Sequence, residues 1–406
     1  MKHTTDNICL LGATGSIGDS TLDVIRQHPE RYRLFAVSGH ANWQKLLEIC
    51  IEFQPTFAVI GEASFDEFCD ELSRYELPTE VLMGSDGLDF VAAHADVDAV
   101  VCAIVGGAGL SSTLSAVKAG KKVLLANKES LVMAGDLVMN TARQTGAVIL
   151  PIDSEHNAIF QCLPKAVQMD NTLIKQANLG IKKLWLTASG GAFLYKSYDE
   201  MQSASVADAV NHPNWSMGSK ITVDSNTMMN KGLEFIEACH LFGVGVDDVE
   251  VAIHPQSIVH SMVEYTDGSW LAQLGSPDMK TPIGYALAYP DRIGTGVKPM
   301  NLFEMAKLEF INPDEQKFAC LALAKKAMAL GNGACIVLNA ANEVAVEAFL
   351  CDKIRLTDIA VLVEKCLDDA VFKDVLSKSY DDLTEILALD EQVRASAWMR
   401  LQELKR

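Results

Sequence analysis

Acidic, hydroxyl and imidazole side chains come together in one short stretch of the sequence. Asp153, Ser154, Glu155 and His156 follow an apolar run that is predicted to be a strand. Two carboxylates so closely spaced at the end of a strand can converge on one hard cation, because Mg²⁺ and Mn²⁺ bind carboxylate oxygens together with substrate and water oxygens. The alternative is an ordinary helix start, in which Asp153 or Ser154 caps the helix and Glu155 interacts favourably with its dipole.

A second polar stretch, DSNTMMNKGLE, ends at Glu234 and is predicted to be helical. Asn230 and Glu234 lie four residues apart on one helical face, and Lys231 lies beside them. This face offers an amide, an ammonium and a carboxylate, a set that can bind a phosphate and help to ligate a cation. Ser225 or Asn226 is expected to cap the helix. The alternative is a solvated ion pair between Lys231 and Glu234, which is the commoner arrangement at this spacing.

Small residues after another predicted strand read TASGG and include Ser189. Backbone N–H groups in such a loop are suited to anion binding. Further along, residues 212–218 read HPNWSMG and place Trp215 between a proline and a glycine. This arrangement is compatible with a lid that closes over a substrate, although a tryptophan is more often a packing residue.

The segment ANKES, residues 126–130, follows an apolar strand at the carboxyl edge of the first predicted sheet. Open α/β sheets bind their ligands at this edge. Lys128 and Glu129 are therefore candidates for catalysis, and the alternative is that they only begin a helix.

A glycine-rich loop, GATGSIG, places Gly12, Gly15 and Gly18 between the first predicted strand and the first predicted helix. These glycines permit a tight turn and a close approach to a pyrophosphate, whose charge then faces the helix N-terminus. The alternative is a sterically forced turn that binds nothing. The second strand ends in VSGHAN, with no acid to accept from the ribose of NAD, which favours NADP. His40 is the only basic candidate nearby.

The candidate residues above follow predicted strands, so they can form one site only if the fold brings the ends of these strands together. In residues 1–150, short apolar runs alternate with helical patterns, which predicts an α/β fold with a Rossmann-type, doubly wound cofactor domain. Residues 151–290 are predicted to form an α+β catalytic domain with a second sheet, residues 291–312 a linker, and residues 313–406 a C-terminal helical bundle. Strands are predicted at Ile8–Leu11, Leu34–Val37, Phe57–Ile60, Ala99–Ala103, Lys122–Leu125, Ala147–Leu150, Lys183–Thr187, Val249–Ile253, Ser257–Tyr265 and Ser269–Leu274, and helices at Thr21–Gln27, Trp43–Phe53, Ser154–Leu163, Ser225–Phe242 and Thr281–Tyr289.

The composition excludes several classes of protein. The chain has 406 residues, 49% of them hydrophobic and 21% charged, which predicts a folded protein of two or three domains. A net charge of −19 argues against a nucleic-acid or anionic-membrane surface. The ten cysteines show no C-x-x-C spacing and fit a reducing compartment. We expect no signal-type segment and no membrane-spanning window of about 18 apolar residues, so the sequence predicts a soluble cytoplasmic protein.

Six motifs together indicate a family. They are GATGSIG, ANKESL, PIDSEHNAIFQ, LTASGGAF, HPNWSMGSKITVDSNTMMNKGLE and HPQSIVHSMVEY, and in this order the chain resembles the 1-deoxy-D-xylulose 5-phosphate reductoisomerase family over nearly its whole length. The resemblance implies an NADPH-binding domain, a catalytic domain, a C-terminal helical bundle and a homodimer. It also implies metal-dependent rearrangement of 1-deoxy-D-xylulose 5-phosphate to an aldehyde, which NADPH reduces to 2-C-methyl-D-erythritol 4-phosphate in isoprenoid precursor biosynthesis.

The resemblance also implies roles for individual residues. Asp153, Glu155 and Glu234 are expected to hold Mg²⁺, Mn²⁺ or Co²⁺. The phosphorylated sugar is expected to contact Lys128, Ser154, Glu155, Ser189, His212, Ser225, Asn230, Lys231 and Glu234, with Lys128, Glu155 and His212 catalytic. NADPH is expected to contact Thr14, Gly15, Ser16, Ile17, Gly39, His40, Asn42, Asn127, Glu129 and Gly218, while Trp215 and Met279 close over the substrate.

Two other functions fit parts of the sequence. A metal-independent NADP-dependent dehydrogenase of a small aldehyde would use the same cofactor loop, and insensitivity to chelators would identify it. A non-catalytic NADP-sensing protein would bind NADPH without turnover. It would have no use for three convergent carboxylates.

Overall fold

The computed structural model describes residues 5–211, 215, 218–305 and 307–404. The chain forms two compact units, each made of segments that are distant in sequence. Unit 1 comprises Met1–Ser130, Val138–Asn157 and Asp278–Lys298, and unit 2 comprises Leu131–Leu137, Ala158–Pro277 and Pro299–Arg406. The division into four consecutive segments that the sequence suggested stays a prediction.

Two sheets contain the strands of the described residues. In chain order these strands are β1 (Asp6–Leu11), β2 (Tyr32–Ser38), β3 (Phe57–Ile60), β4 (Glu80–Met83), β5 (Ala99–Cys102), β6 (Lys122–Leu125), β7 (Val148–Pro151), β8 (Ile181–Ala188), β9 (Val249–Ile253), β10 (Val259–Tyr265) and β11 (Trp270–Leu274). The first sheet has the order β4-β3-β2-β1-β5-β6-β7 and the second β11-β10-β8-β9. All strand pairs of the first sheet are parallel.

The α-helices of the described ranges connect and cover these strands. They are α1 (Ser16–Gln27), α2 (Trp43–Phe53), α3 (Phe65–Leu72), α4 (Gly84–Ala93), α5 (Leu110–Lys118), α6 (Lys128–Thr145), α7 (Ser154–Cys162), α8 (Lys165–Met169), α9 (Tyr198–Gln202), α10 (Val206–Ala209), α11 (Ser219–Thr227), α12 (Met229–Phe242), α13 (Lys280–Ala288), α14 (Ala319–Leu330), α15 (Asn332–Leu350), α16 (Asp358–Leu367) and α17 (Leu383–Arg400).

Unit 1 is the doubly wound Rossmann-type sheet that the sequence predicted. The central strands are buried apolar runs, as expected for parallel strands covered on both faces. The strand order reverses at β1, which lies between β2 and β5, so the glycine-rich loop after β1 lies at the switch point of the sheet. The edge strand β4 was not predicted, because its four residues are exposed or only partly buried and give no apolar run.

Unit 2 contains the second, mixed sheet and the C-terminal helices, which confirms the predicted fold class. β8 pairs with β10 antiparallel and with β9 parallel. Helix α12 packs against β8, β9 and α14. All but one of its residues are buried, and the exception is Asn230. Apart from Asn230, the polar residues of α12 are therefore shielded from solvent.

Helix α15 corrects an expectation about membranes. By length and composition it is apolar enough to cross a membrane, contrary to the prediction that no such window exists. In the structure 83% of its most apolar window is buried inside the protein. A helix that is apolar all round is also what the core of a large domain requires, and α15 has contacts with α14, α16 and α17.

The predicted helix Ser225–Phe242 is two helices, and the predicted cap is wrong. Ser225 and Asn226 lie in the last turn of α11, and α12 begins after Met228. Met228 has φ +58°, a left-handed conformation that ends one helix before the next begins. A methionine gives no sequence signal for this break, since glycine or asparagine is usual at such positions.

Candidate active site

The glycine-rich loop of unit 1 has the geometry of a pyrophosphate cradle. Gly12 has φ +84°, and a Cβ there would lie 2.6 Å from the Ala103 carbonyl oxygen. A Cβ on Gly18 would lie 2.2 Å from the Ala13 carbonyl oxygen, so α1 packs directly on the loop. Gly15 precedes α1 and has no side chain to cap it. The first N–H groups of α1 are therefore available to an anion.

The end of β2 is held against the glycine-rich loop. The Ser38 hydroxyl accepts a hydrogen bond from the Gly12 N–H at 2.9 Å, which fixes the strand end against the loop. Asn42 caps α2 by accepting from the Lys45 N–H at 3.1 Å. Lys45 Nζ donates to the Thr14 carbonyl at 3.1 Å and to Asp19 Oδ2 at 2.7 Å, so His40 is not the only basic side chain near this loop. The sequence did not reveal Lys45, because its proximity depends on how α2 packs beside the loop.

The first turn of α6 is held in place by Asn127. The Asn127 side chain accepts from the Ser130 N–H at 2.8 Å and donates to the carbonyls of Ile104 and Gly106. Asn127 is therefore the cap of α6, and Lys128 and Glu129 begin the helix after it. Both side chains are buried, which is unusual for charged residues that only begin a helix.

A buried charged cluster lies where β6 and β7 end side by side. Lys128 Nζ donates to Asp153 Oδ2 at 2.5 Å, and these side chains are only 9% and 12% exposed. His156 Nδ1 lies 3.5 Å from Asp153 Oδ1, and the Ser154 hydroxyl donates to Glu155 Oε2 at 2.5 Å. The Asp153 carbonyl also accepts from the Asn157 N–H, so Asp153 occupies the cap position of α7 as well. Two carboxylates and a hydroxyl are a donor set suited to Mg²⁺.

In unit 2, the loop after β8 has the backbone freedom that anion binding requires. Gly190 and Gly191 have φ of +83° and +68°. The Gly191 N–H donates to the Ser189 hydroxyl at 3.3 Å. A Cβ on Gly191 would lie 3.0 Å from the Ser225 carbonyl oxygen. The structure thus places the Ser189 loop directly against the part of α11 that carries Ser225.

One face of α12 carries a polar triad, of which only Asn230 is partly exposed. Asn230 Nδ2 donates to Glu234 Oε1 at 2.5 Å, and Lys231 Nζ donates to Glu234 Oε2. The side chains of Lys231 and Glu234 are 4% and 2% exposed. The alternative of a solvated ion pair is therefore wrong. Burying two charges requires compensation, and here each carboxylate oxygen has a donor from the same helix.

Part of the predicted lid lies outside the described residues. This applies to His212, Pro213, Asn214, Ser216 and Met217. The Trp215 ring meets the His260 ring edge-on, with centroids 6.2 Å apart. Burial lowers the pKa of His260 to about 4. Gly218 is the N-cap of α11, and Met279, in unit 1, precedes α13.

Family models match three parts of the chain. The model "1-deoxy-D-xylulose 5-phosphate reductoisomerase" matches residues 8–135, its C-terminal domain model residues 149–242, and the "DXP reductoisomerase C-terminal domain" residues 274–396. The curated reductoisomerase of Psychrobacter sp. (strain PRwf-1) is 55% identical over 405 residues, covering 98% of both chains. That of Pseudomonas fluorescens (strain SBW25) is 52% identical and covers 96% of both.

The chain belongs to the 1-deoxy-D-xylulose 5-phosphate reductoisomerase family. A crystal structure of DOX-P reductoisomerase in complex with NADPH, fosmidomycin and magnesium has a TM-score of 0.97, 58% identity and 98% coverage of both chains. The family's enzyme from Zymomonas mobilis in complex with NADPH has a TM-score of 0.87 and 40% identity, covering 99% of this chain and 100% of that one. The family and fold predicted from the sequence are confirmed.

Proposed function

We propose that this chain rearranges 1-deoxy-D-xylulose 5-phosphate and reduces the product to 2-C-methyl-D-erythritol 4-phosphate. It is an NADPH-dependent, metal-requiring oxidoreductase. Membership of the reductoisomerase family over nearly the full length carries this conclusion. The individual residue roles below are our assignment, and each rests on the geometry of the side chain concerned.

The proposed metal ligands are Asp153, Glu155 and Glu234. A bound Mg²⁺, Mn²⁺ or Co²⁺ supplies stabilisation of negative charge on the substrate oxygens during the rearrangement. Lys128 fixes the Asp153 carboxylate from one side by its hydrogen bond at 2.5 Å. The Ser154 hydroxyl does the same for Glu155, also at 2.5 Å. The protein thus holds oxygen ligands in fixed orientations, as a preorganised cation site requires.

The substrate phosphate is assigned to the side chains of Ser189, Ser225, Asn230 and Lys231. These offer hydroxyl, amide and ammonium donors, which is the chemistry that a phosphate dianion needs. Two of them, Asn230 and Lys231, are already oriented by Glu234. Binding a phosphate far from the reacting carbons positions the sugar for catalysis. Lys128, Ser154, Glu155 and His212 are assigned to the sugar itself, with Lys128, Glu155 and His212 acting in catalysis.

NADPH is assigned to the glycine-rich loop and to the ends of neighbouring strands. Its pyrophosphate would lie on Thr14, Gly15, Ser16 and Ile17 at the start of α1, where the open cradle supports this placement. Its ribose phosphate would lie near Gly39, His40 and Asn42, with Lys45 as an additional cation. Asn127, Glu129 and Gly218 complete the assigned contacts.

We also propose that the protein is a homodimer that uses β11. This strand is the outer strand of its sheet, and Trp270, Leu271 and Leu274 are 45%, 49% and 37% exposed. An exposed apolar edge strand tends to pair with another chain, and a second copy would cover it. Leu271→Glu should shift the protein towards the monomer in size-exclusion chromatography with light scattering, whereas a monomeric wild type would contradict the proposal.

The cytoplasm is the proposed compartment. All ten cysteines lie in the described part of the chain, and each is a free thiol. Burial raises the pKa of Cys50, Cys102 and Cys320 to about 12, so these thiols stay protonated and unreactive. Many unpaired thiols are typical of a reducing compartment.

The deciding experiment follows NADPH consumption with 1-deoxy-D-xylulose 5-phosphate, with and without divalent metal. We expect turnover that requires metal and stops on addition of a chelator. Chelator-insensitive oxidation of NADPH would favour the metal-independent aldehyde dehydrogenase instead. Tight NADPH binding without turnover on this substrate would favour the NADP-sensing protein.

A further inference from the structure

Asn226 follows Ser225 in the last turn of α11 and is completely buried. Its side-chain oxygen accepts a hydrogen bond from the Ala192 N–H at 2.7 Å. Its side-chain nitrogen donates to the Ala209 carbonyl at 2.8 Å. One amide thus binds two backbone segments that are 17 residues apart in the chain. Both partners are main-chain groups, so the contacts hold backbone rather than side chains.

The first of these segments is the Ser189 loop. Gly191 packs so closely on Asn226 that a Cβ at position 191 would lie 2.7 Å from the Asn226 side-chain oxygen and 2.9 Å from its Cα. The left-handed φ of Gly191 and this contact both require glycine. The loop that carries Ser189 is therefore fixed to α11 next to Ser225, by a hydrogen bond and by close packing.

The second segment leads to His212. Ala209 is the last residue of α10 and is itself completely buried. The chain from Ala209 returns to α11 at Gly218, which is the N-cap of that helix. Asn226 therefore holds Ala209, the residue that precedes the stretch 210–217.

We propose that Asn226 is a positioning residue that holds the Ser189 loop and the end of α10, three residues before His212, in register with Ser225. This inference rests on the roles proposed above for Ser189, Ser225 and His212. Displacements of about 1 Å can reduce catalysis about 100-fold. Two groups that contact one substrate therefore benefit from a common anchor, and the Asn226 amide provides a contact for each segment.

Two substitutions separate the two contacts. Asn226→Asp preserves shape and the acceptor for the Ala192 N–H, but its carboxylate cannot donate to the Ala209 carbonyl. Asn226→Ala removes both contacts. Asn171→Asp is the matched control, because Asn171 Nδ2 also donates to a backbone carbonyl, that of Leu241, at 2.8 Å. Ser225→Ala is included to test the phosphate assignment separately.

We expect Asn226→Asp to lower kcat at least tenfold while the KM for 1-deoxy-D-xylulose 5-phosphate changes less than about threefold. Asn226→Ala should lower kcat and also raise this KM at least tenfold. The affinity for NADPH, measured by fluorescence titration, should stay unchanged in both variants. Hydrogen exchange should be faster at Ala192 and in residues 209–211 of Asn226→Ala than in Asn171→Asp.

The outcomes distinguish this inference from the proposed function. If Ser225→Ala raises KM but both Asn226 variants match Asn171→Asp in kcat and KM, the positioning role is wrong. If Ser225→Ala leaves KM unchanged, the phosphate assignment fails, and hydrogen exchange still tests the anchoring. Exchange at Ala192 and residues 209–211 equal to that of the control would overturn the anchoring. The positioning role is supported if exchange at these residues is faster in Asn226→Ala than in the control, if Asn226→Asp lowers mainly kcat, and if Asn226→Ala also raises KM.

Discussion

Lys128 and Asp153 form an ion pair, 2.5 Å long and almost completely buried, although 25 residues separate them in the chain. They meet because β6 and β7 are parallel neighbours that end at the same edge of the sheet. Each residue begins the helix region that follows its strand. Removing either partner would leave an uncompensated buried charge. The ion pair therefore fixes the orientation of the Asp153 carboxylate, which is a proposed metal ligand.

Removing Lys128 should therefore be costly. Lys128→Met leaves the Asp153 carboxylate buried without its ammonium partner, and we expect a loss of about 3–5 kcal/mol of unfolding free energy. The double variant Lys128→Met, Asp153→Leu should recover much of this loss, since no lone charge remains. Arg74→Met is the control, because its exposed pair with Glu71 should contribute less than about 1 kcal/mol. Unfolding free energies are measured by denaturant titration. If the losses caused by the two single substitutions simply add up in the double variant, Lys128 and Asp153 are not energetically coupled.

Replacing Glu234 should uncouple catalysis from cofactor binding. Glu234→Gln keeps the side-chain length but leaves one acceptor oxygen in place of the two to which Asn230 and Lys231 donate, and it removes the charge that a divalent cation needs. We expect turnover to fall at least about 100-fold, metal affinity to fall, and extra Mg²⁺ or Mn²⁺ to restore part of the activity, while NADPH binding is retained. Glu237→Gln makes the same change at a completely buried position of the same helix. Near-normal turnover of Glu234→Gln at limiting metal would remove Glu234 from the metal site.

The stability of the protein should depend on His260 in mildly acidic solution. Burial lowers the pKa of His260 from 6.5 to about 4 in the folded state, so the unfolded chain binds the proton more readily. Above pH 6.5 His260 is neutral in the folded and the unfolded state. As the pH falls from 6.5 to 4, protonation of the unfolded chain lowers the free energy of unfolding by about 3 kcal/mol in total. His260→Gln cannot titrate. The stability difference between wild type and variant, measured from pH 7 to 4, should therefore change across this range; a constant difference would show that His260 is not responsible.

Cofactor preference should depend on the absence of an acid after β2. Gly39→Asp adds a carboxylate where we place the ribose phosphate. A Cβ at position 39 would lie 3.2 Å from a side-chain atom of Thr14, so the Thr14 side chain must move by a few tenths of an ångström, and Gly39→Ala controls for this effect. We expect kcat/KM for NADPH to fall at least about tenfold relative to Gly39→Ala, with a smaller change for NADH. Equal losses with both cofactors would place the ribose phosphate elsewhere.

The sequence predicted those features that depend on local pattern. The bounds of β3, β6, β9 and α2 agree residue for residue, because apolar runs and helical periodicity determine them. The family motifs also identified the reaction class and the cofactors. Other features depend on packing, which no local pattern reports. The left-handed Met228, the proximity of Lys45 to Thr14 and the burial of Glu234 are of this kind.

The break at Met228 has an electrostatic consequence. Because α12 begins anew at Met229, Asn230 and Lys231 lie in its first turn rather than in the middle of one long helix. A helix start carries the equivalent of about half a positive elementary charge, supplied by its aligned peptide groups. An anion held by these side chains therefore also interacts with a charge that no side-chain substitution removes. Variants that lack a single hydroxyl or amide donor should retain this contribution to phosphate binding.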